Sequence, residues 1–131
     1  MATSLQVDIV TPLRAAWSGQ AQQILLPAWE GQLGVLPDHD QLLALVKPGI
    51  ATVFTAEGST RYVFDSGFAE IGPTRVTVLT ESCIPADQVD KDQAKADLTE
   101  AEAELGSLNI GSEAARLVLR RIAHAKARLE A

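Results

Sequence analysis

The chain has 131 residues, with 11 lysines and arginines against 17 aspartates and glutamates, which gives a formal net charge of −6. This length suits one ordinary domain or two small ones, and the 47% hydrophobic content excludes an intrinsically disordered chain. The acidic balance argues against a nucleic-acid partner, and the single cysteine, Cys83, excludes an internal disulfide and a multi-cysteine metal site.

No targeting segment is apparent in the sequence. Residues 1–8 have neither the basic nor the apolar region of a signal peptide. The longest apolar run, 42–46, is far shorter than the roughly 20 residues that a membrane-spanning helix needs. We therefore expect that the protein is soluble and reaches a membrane only through a partner.

The first two thirds of the chain show the pattern of many short strands. Leu5, Val7 and Ile9 alternate with polar residues, which predicts a half-buried strand that stops before Pro12. Turn residues then recur about every 8–12 positions, a spacing typical of a sandwich or barrel. The further predicted strands are 22–26 (closed by Pro27), 33–36, 49–55, 60–65, 68–71 and 75–79. We predict that residues 1–86 form an all-β domain, an antiparallel β-sandwich.

The remaining residues, 87–131, predict two helices that form an antiparallel α-helical hairpin. We expect Asp87 to cap the first helix and Ser112 to cap the second, because their side chains can accept the free backbone N–H groups of a first turn. Apolar stripes run along both helices at helical spacing, at Ala94, Leu98, Ala101 and Leu105 and at Ala115, Val118, Ile122, Ala125 and Leu129. The short link between the helices makes them antiparallel neighbours.

Charge separates the two predicted helices. Residues 87–104 carry two lysines against seven acidic residues, net −5, whereas residues 105–131 carry five basic residues against two acidic ones, net +3. Docking the helices together is therefore electrostatically favourable. Each exposed pair is worth only about 0.2–1 kcal/mol, so we expect a hairpin of marginal stability.

The sequence offers little that resembles an active site. Asp38, His39 and Asp40 are consecutive, and neighbouring side chains on extended backbone point to opposite faces, so a solvated loop is the preferred interpretation. A hydrolase that uses Asp38 and His39 is the alternative. Cys83 has no basic neighbour that would activate its thiol and is expected in the core. The segment 30–34 lacks the lysine and the following helix of a phosphate-binding loop. We expect a protein that is not an enzyme and holds no metal.

Two blocks of the sequence resemble a known family. Residues 30–39, Glu-Gly-Gln-Leu-Gly-Val-Leu-Pro-Asp-His, with Leu-Leu at 42–43 and Lys-Pro-Gly at 47–49, resemble the signature of the epsilon subunit of bacterial F-type ATP synthase. The run Ser-Gly-Phe-Ala-Glu-Ile at 66–71, followed by Val-Thr-Val-Leu at 76–79, resembles that family's next block. The resemblance extends over the whole chain, since the order of strands and helices is also similar.

The resemblance implies a non-catalytic rotor subunit in the central stalk of a proton-translocating ATP synthase. In that family a ten-stranded β-sandwich binds the gamma subunit and rests on the ring of c subunits, and so couples ring rotation to ATP synthesis in the catalytic head. The resemblance implies a peripheral position on the cytoplasmic face of the bacterial inner membrane. From the residues alone, a ligand-binding or adaptor module of another assembly stays open, and co-purification with gamma would separate the two.

The resemblance also implies a ring-facing loop. Its residues here are Glu30, Gly31, Gln32, Leu33, Asp38, His39 and Asp40. The family commonly shows Glu at Gln32, Gly at Asp38 and Ala-Pro at positions 40–41, so the pairings of single residues with the ring are left open. Solvated turn residues are the alternative interpretation.

A nucleotide motif is present in altered form at the start of the first helix. Val89, Asp90, Gln93 and Ala94 occupy the positions at which several bacterial members bind ATP. Gln93 replaces the arginine that supplies a bidentate positive group for phosphate. We therefore expect that the isolated chain binds no ATP and that the protein has no cofactor.

The second helix carries a candidate inhibitory face. It consists of Arg116, Arg120, Arg121 and Arg128. In the family, basic residues of this helix can meet an acidic segment of the catalytic beta subunits when the hairpin extends, which blocks ATP hydrolysis, and the helices can also contact the alpha subunits. A solvated face that pairs with the acidic first helix is the alternative, and the sequence leaves both open.

Overall fold

The computed structural model describes residues 3–131, so positions 1 and 2 of the predicted first domain lie outside the described residues. Within the described part, ten strands precede two helices. The strands are β1 (Leu5–Val10), β2 (Ala15–Ala21), β3 (Gln23–Ala28), β4 (Gly31–Val35), β5 (Leu42–Val46), β6 (Gly49–Thr55), β7 (Gly58–Phe64), β8 (Gly67–Ile71), β9 (Arg75–Thr80) and β10 (Cys83–Pro85), and the helices are α1 (Lys91–Leu105) and α2 (Glu113–Glu130). The predicted β-sandwich followed by a helical hairpin is confirmed.

The ten strands form one continuous sheet that folds over into two layers. The strand order is β10-β7-β6-β3-β5-β8-β9-β1-β2, with β4 paired to β3. β3 belongs to both layers, since 23–25 pair with β6 whereas Ala28 pairs with Val46 of β5. Apolar side chains of both layers fill the space between them, among them Leu5, Val7, Ile9, Ile24, Leu26, Phe64, Ile71 and Val78.

One pair of strands departs from the predicted antiparallel pattern. β1 lies parallel to β9, with residues 6–10 opposite residues 75–79. β1 joins β2 in one antiparallel hairpin and β8 joins β9 in another, and folding the sheet over brings β1 and β9 side by side in the same direction. The parallel contact therefore joins the two hairpins.

Three strands were not predicted, and one prediction about a strand end was wrong. β2, β5 and β10 are the additional strands. Pro27 lies inside β3 and does not end it. It stands where β3 leaves β6 and joins β5, a break in the ladder at which one missing N–H is tolerated, and its carbonyl accepts the N–H of Lys47 at 2.8 Å.

The helical hairpin forms as predicted except at its first cap. Asp87 lies in a short 3-10 turn, and it is Asp90 whose side chain accepts the N–H of Gln93, at 3.0 Å. The Ser112 hydroxyl accepts the N–H of Ala115 at 3.1 Å, as expected. The alanines of both predicted stripes are buried, and α2 lies against β6 and β7. The hairpin is thus docked on one layer of the sandwich.

Candidate functional site

An exposed row of apolar side chains crosses the outer face of three adjacent strands. Leu45 lies opposite Phe68, and Phe68 lies opposite Leu79, so the three side chains are neighbours on β5, β8 and β9. They are 63%, 43% and 39% exposed. Trp29, also exposed, lies at one end, where its backbone N–H donates to the carbonyl of Leu45 at 3.1 Å. We call Leu45, Phe68 and Leu79 the apolar row. Contiguous exposed apolar surface of this kind is typical of a protein-binding site.

The outer face beside the apolar row is polar and internally satisfied. On β1, Asp8 accepts hydrogen bonds from the Ser18 hydroxyl at 2.6 Å and from Gln6 at 3.1 Å, and it pairs with Arg75 at 3.1 Å. These hydrogen bonds, with the positive charge of Arg75, lower the pKa of Asp8. The boundary between this network and the apolar row marks one edge of the candidate binding surface.

The sequence did not single out the apolar row, although it carried a signal. β5 reads Leu-Leu-Ala-Leu-Val and is apolar on both faces. A strand with only one buried face normally alternates apolar and polar residues. Leu43 and Leu45 on the outward face are therefore surplus to the core, and a surplus of that kind indicates a contact with something outside the chain.

The two segments of the predicted ring-facing loop lie at different places. Residues 30–33 form the turn and first residues of the β3–β4 hairpin, where Gly31 has a φ of 121° that favours glycine. They line a groove of about 450 Å³ together with residues 42–45. Asp38 follows β4 and donates its N–H to the carbonyl of Pro73 at 2.8 Å. The β4 strand separates the two segments, which lie on either side of the start of β5.

The described residues provide no catalytic or metal constellation. Among residues 3–131, no group of three histidine, cysteine, aspartate or glutamate side chains is placed to hold a metal ion. The ring Nδ1 of His39 lies 2.6 Å from the carbonyl oxygen of Asp40, a local contact within the loop. Cys83 is buried, as expected, and this burial raises the pKa of its thiol to about 11. A thiol with so high a pKa is a poor nucleophile at neutral pH.

The residues of the altered nucleotide motif are occupied within the hairpin. Asp90 caps α1, and Ala94 is buried in the hairpin. The Gln93 side-chain amide donates to Asp97 at 2.8 Å. Lys91, next to the motif, donates its ammonium group to the carbonyls of Leu129, at 2.7 Å, and of Ala131.

The four arginines of the candidate inhibitory face divide into two pairs. Arg121 pairs with Glu104 at 2.6 Å, and Arg128 pairs with Asp97 at 2.8 Å, both across the hairpin. Arg116 and Arg120 are exposed, and their side chains make no hydrogen bond or ion pair within residues 3–131. Half of the predicted face is therefore paired with the acidic helix, and half is free.

A polar cavity lies between α2 and the sandwich. Its volume is about 420 Å³, and its lining includes Asp65, Arg120 and His124. The Nε2 atom of His124 lies 3.5 Å from the Ser82 hydroxyl, and burial lowers the pKa of its imidazole. This burial therefore favours the neutral form of His124 while the hairpin is docked.

Within the described part of the chain, neither helix has the length and apolar content to cross a membrane.

Comparisons with known proteins agree on one family. Residues 4–86 match the family described as ATP synthase, Delta/Epsilon chain, beta-sandwich domain. The ATP synthase epsilon chain of Sinorhizobium fredii is 40% identical over 106 residues, which cover 80% of this chain and 79% of that one. The structure is similar to a chain of the Euglena gracilis mitochondrial ATP synthase, OSCP/F1/c-ring, with a TM-score of 0.78 and 25% identity over 95% of this chain and 78% of that chain. A chain of the Tetrahymena thermophila mitochondrial ATP synthase central stalk and c-ring has the same fold, with a TM-score of 0.69 and 12% identity over 96% and 94% of the two chains.

Proposed function

We propose a role for this chain from the premise that it belongs to the ATP synthase delta/epsilon family, as an epsilon chain. It is a non-catalytic subunit of the ATP synthase complex, in the central stalk between the catalytic head and the c-ring. Its function is to couple rotation of the c-ring to ATP synthesis in the catalytic head. The chain is peripheral to the membrane-bound complex, and we place it on the cytoplasmic face of the bacterial inner membrane.

The apolar row is the observation that carries this role at the level of residues. A rotor subunit needs a permanent contact with the gamma subunit, and permanent interfaces are larger and more apolar than transient ones. Leu45, Phe68 and Leu79 expose apolar surface on one face of the sandwich, bordered by the satisfied polar network around Asp8. We infer that gamma covers this row.

Replacing Phe68 with glutamate is expected to weaken binding to gamma by roughly 30-fold or more, because a central aromatic contact is worth about 2 kcal/mol or more. Phe68 points away from the core, so the melting temperature of the free chain is expected to stay close to that of the parent. Titration calorimetry with purified gamma measures the affinity. Ile110→Glu is the matched control, since Ile110 is fully exposed in the loop between the helices. Equal affinities of the Phe68 variant and the parent would refute the assignment of the row to gamma.

We propose that the two parts of the chain have different functions. Residues 1–86 would hold gamma and the c-ring, and residues 87–131 would form the regulatory element. The c-ring would meet the turn 30–33 and the loop 38–40, which are exposed or half-buried and border the same end of β5. Arg116, Arg120, Arg121 and Arg128 would reach the catalytic beta and alpha subunits when the hairpin extends.

We also propose that the chain works without a bound nucleotide. Titration of the isolated chain with Mg-ATP at physiological millimolar concentrations is expected to show no binding, because Gln93 brings no positive charge and its amide is engaged by Asp97. Gln93→Arg is expected to create binding. Gln88→Arg adds the same charge just before α1 but outside the motif and serves as the control. Binding by the parent chain would show that another residue supplies the missing charge.

A further inference from the structure

Asp97, in the middle of α1, uses both of its carboxylate oxygens. Its Oδ1 accepts a hydrogen bond at 2.8 Å from the side-chain Nε2 of Gln93, one turn earlier on α1. Its Oδ2 pairs with Nη1 of Arg128 on α2, also at 2.8 Å. The hydrogen bond from Gln93 and the interaction with Arg128 hold the pKa of Asp97 below its usual range. Gln93 thus orients the carboxylate that pairs with α2.

Arg128 is the most enclosed of the four arginines. Its side chain is only 14% exposed, and its Nε atom is buried and makes no hydrogen bond within the described residues. A guanidinium group in that position depends on Asp97 for its partner. Removing Asp97 would therefore leave this largely enclosed positive charge without compensation.

Two further side-chain contacts join α1 to α2, one on each side of the Asp97–Arg128 pair. Lys91 donates to the carbonyl of Leu129 at one end, and Glu104 pairs with Arg121 at the other. Positions 91, 97 and 104 are six and seven residues apart on α1. The seven-residue step from 97 to 104 is about two helical turns, so Asp97 and Glu104 lie along one flank of the helix, whereas Lys91 projects from a different side of the first turn. Side-chain contacts therefore join the two helices at three places along the length of the hairpin.

We propose that the Gln93–Asp97–Arg128 contact is a clamp that keeps the α1–α2 hairpin closed without a nucleotide, and that it masks Arg128 from an acidic segment of the catalytic subunits. Gln93 occupies the altered position of the nucleotide motif. In this chain the residue at that position would stabilise the hairpin with its own side chain, without a bound nucleotide. The masking half of the inference rests on the proposed function, whereas the clamp itself does not.

Asp97→Asn in the full chain tests the clamp. Amide hydrogen exchange in α2 is expected to become roughly twofold to fivefold faster, the range for loss of one partly exposed ion pair. Glu102→Gln removes one negative charge from the same helix at an exposed position with no side-chain partner in the described part of the chain, and its exchange is expected to match the parent. Gln93→Ala is expected to lie between the two variants. Equal exchange in the Asp97 and Glu102 variants would overturn the clamp.

The assembled enzyme tests the masking separately. If Asp97 competes with the catalytic subunits for Arg128, Asp97→Asn is expected to lower ATP hydrolysis by the membrane complex, relative to Glu102→Gln, because a freed Arg128 strengthens inhibition. Faster exchange in α2 with unchanged hydrolysis would overturn the masking and leave the clamp standing. Absence of gamma binding by the parent chain, a property that neither variant is expected to change, would instead count against the proposed function.

Discussion

Replacing Gly67 with alanine is expected to destabilise the sandwich by about 3 kcal/mol, the upper end of the range for forcing an extra group into a filled interior. An added Cβ at Gly67 would lie 2.8 Å from the Cα atom of Thr80 and closer still to the carbonyl oxygen of Leu79. Both obstacles are backbone of the neighbouring strand β9. They cannot rotate away as a side chain would.

The position of Thr80 makes the close approach rigid. Thr80 is buried, and its hydroxyl, which carries a single proton, lies within hydrogen-bond reach of the carbonyls of Asp65, at 2.9 Å, and Ser82, at 3.1 Å, so it ties the ends of β7 and β9 together. Thermal melting of the full chain is expected to show a midpoint roughly 10 °C lower for Gly67→Ala. Gly72→Ala, whose added Cβ would only touch the carbonyl of Arg75 at 3.6 Å, is the control and is expected to melt like the parent. A normal midpoint for the Gly67 variant would mean that β9 can move aside.

Replacing all four arginines of α2 with alanine is expected to raise ATP hydrolysis by the membrane complex several-fold. A charge pair that each arginine would form with a catalytic subunit when the hairpin extends is worth about 0.2–1 kcal/mol, so four are together worth about 1–4 kcal/mol. Alanine is the best helix former, so the helix content is expected to survive. Assembly is expected to stay intact, because in the proposed function the sandwich holds gamma and the c-ring. Higher salt is expected to mimic part of the effect, since exposed charges are screened beyond about 8 Å at physiological ionic strength.

The structure allows this experiment to be divided. The double variant of Arg116 and Arg120 removes charges that have no partner within the described chain. It is therefore expected to raise ATP hydrolysis without loosening the contacts between α1 and α2. The double variant of Arg121 and Arg128 also removes two contacts with α1 and is expected to loosen the hairpin. Unchanged hydrolysis in the quadruple variant, with normal assembly, would favour the solvated-face interpretation and leave the chain as a coupling subunit only.

The sequence predicted strands where alternation or bracketing turns were clear. β1, β6 and β9 were found on that basis, with ends within one residue of the structure. β2 was missed because Ala-Ala-Trp-Ser-Gly-Gln-Ala alternates only weakly, with glycine and alanine at two of its inward positions, and its pairing with β1 is fixed by tertiary context. β10 has only three residues and exists because β7 offers it an edge. Local pattern was therefore sufficient for strands that bury one face and insufficient for strands held by their neighbours.

The functional surfaces were predictable to different degrees. The resemblance directed attention to residues 30–40, and the structure places them in turns and loops beside β5. The apolar row was missed because Leu45, Phe68 and Leu79 are far apart in the sequence and meet only through the register of β5, β8 and β9. Likewise, the pairing of Arg128 with Asp97 depends on the register of the two helices, which the sequence of each helix alone does not determine.

The parallel pairing of β1 with β9 affects how this chain folds as it is synthesised. Gln6 lies opposite Arg75, 69 positions later, so at roughly 5–20 residues per second the ribosome needs about 3–14 s to supply the partner of β1. During that interval the β1–β2 hairpin has an unpaired edge, which is a template for aggregation. Its outward side chains Gln6, Asp8, Ser18 and Gln20 already bond to one another within the hairpin. These side chains give the β1–β2 hairpin a hydrophilic face, which protects the nascent chain from aggregation until β9 is synthesised.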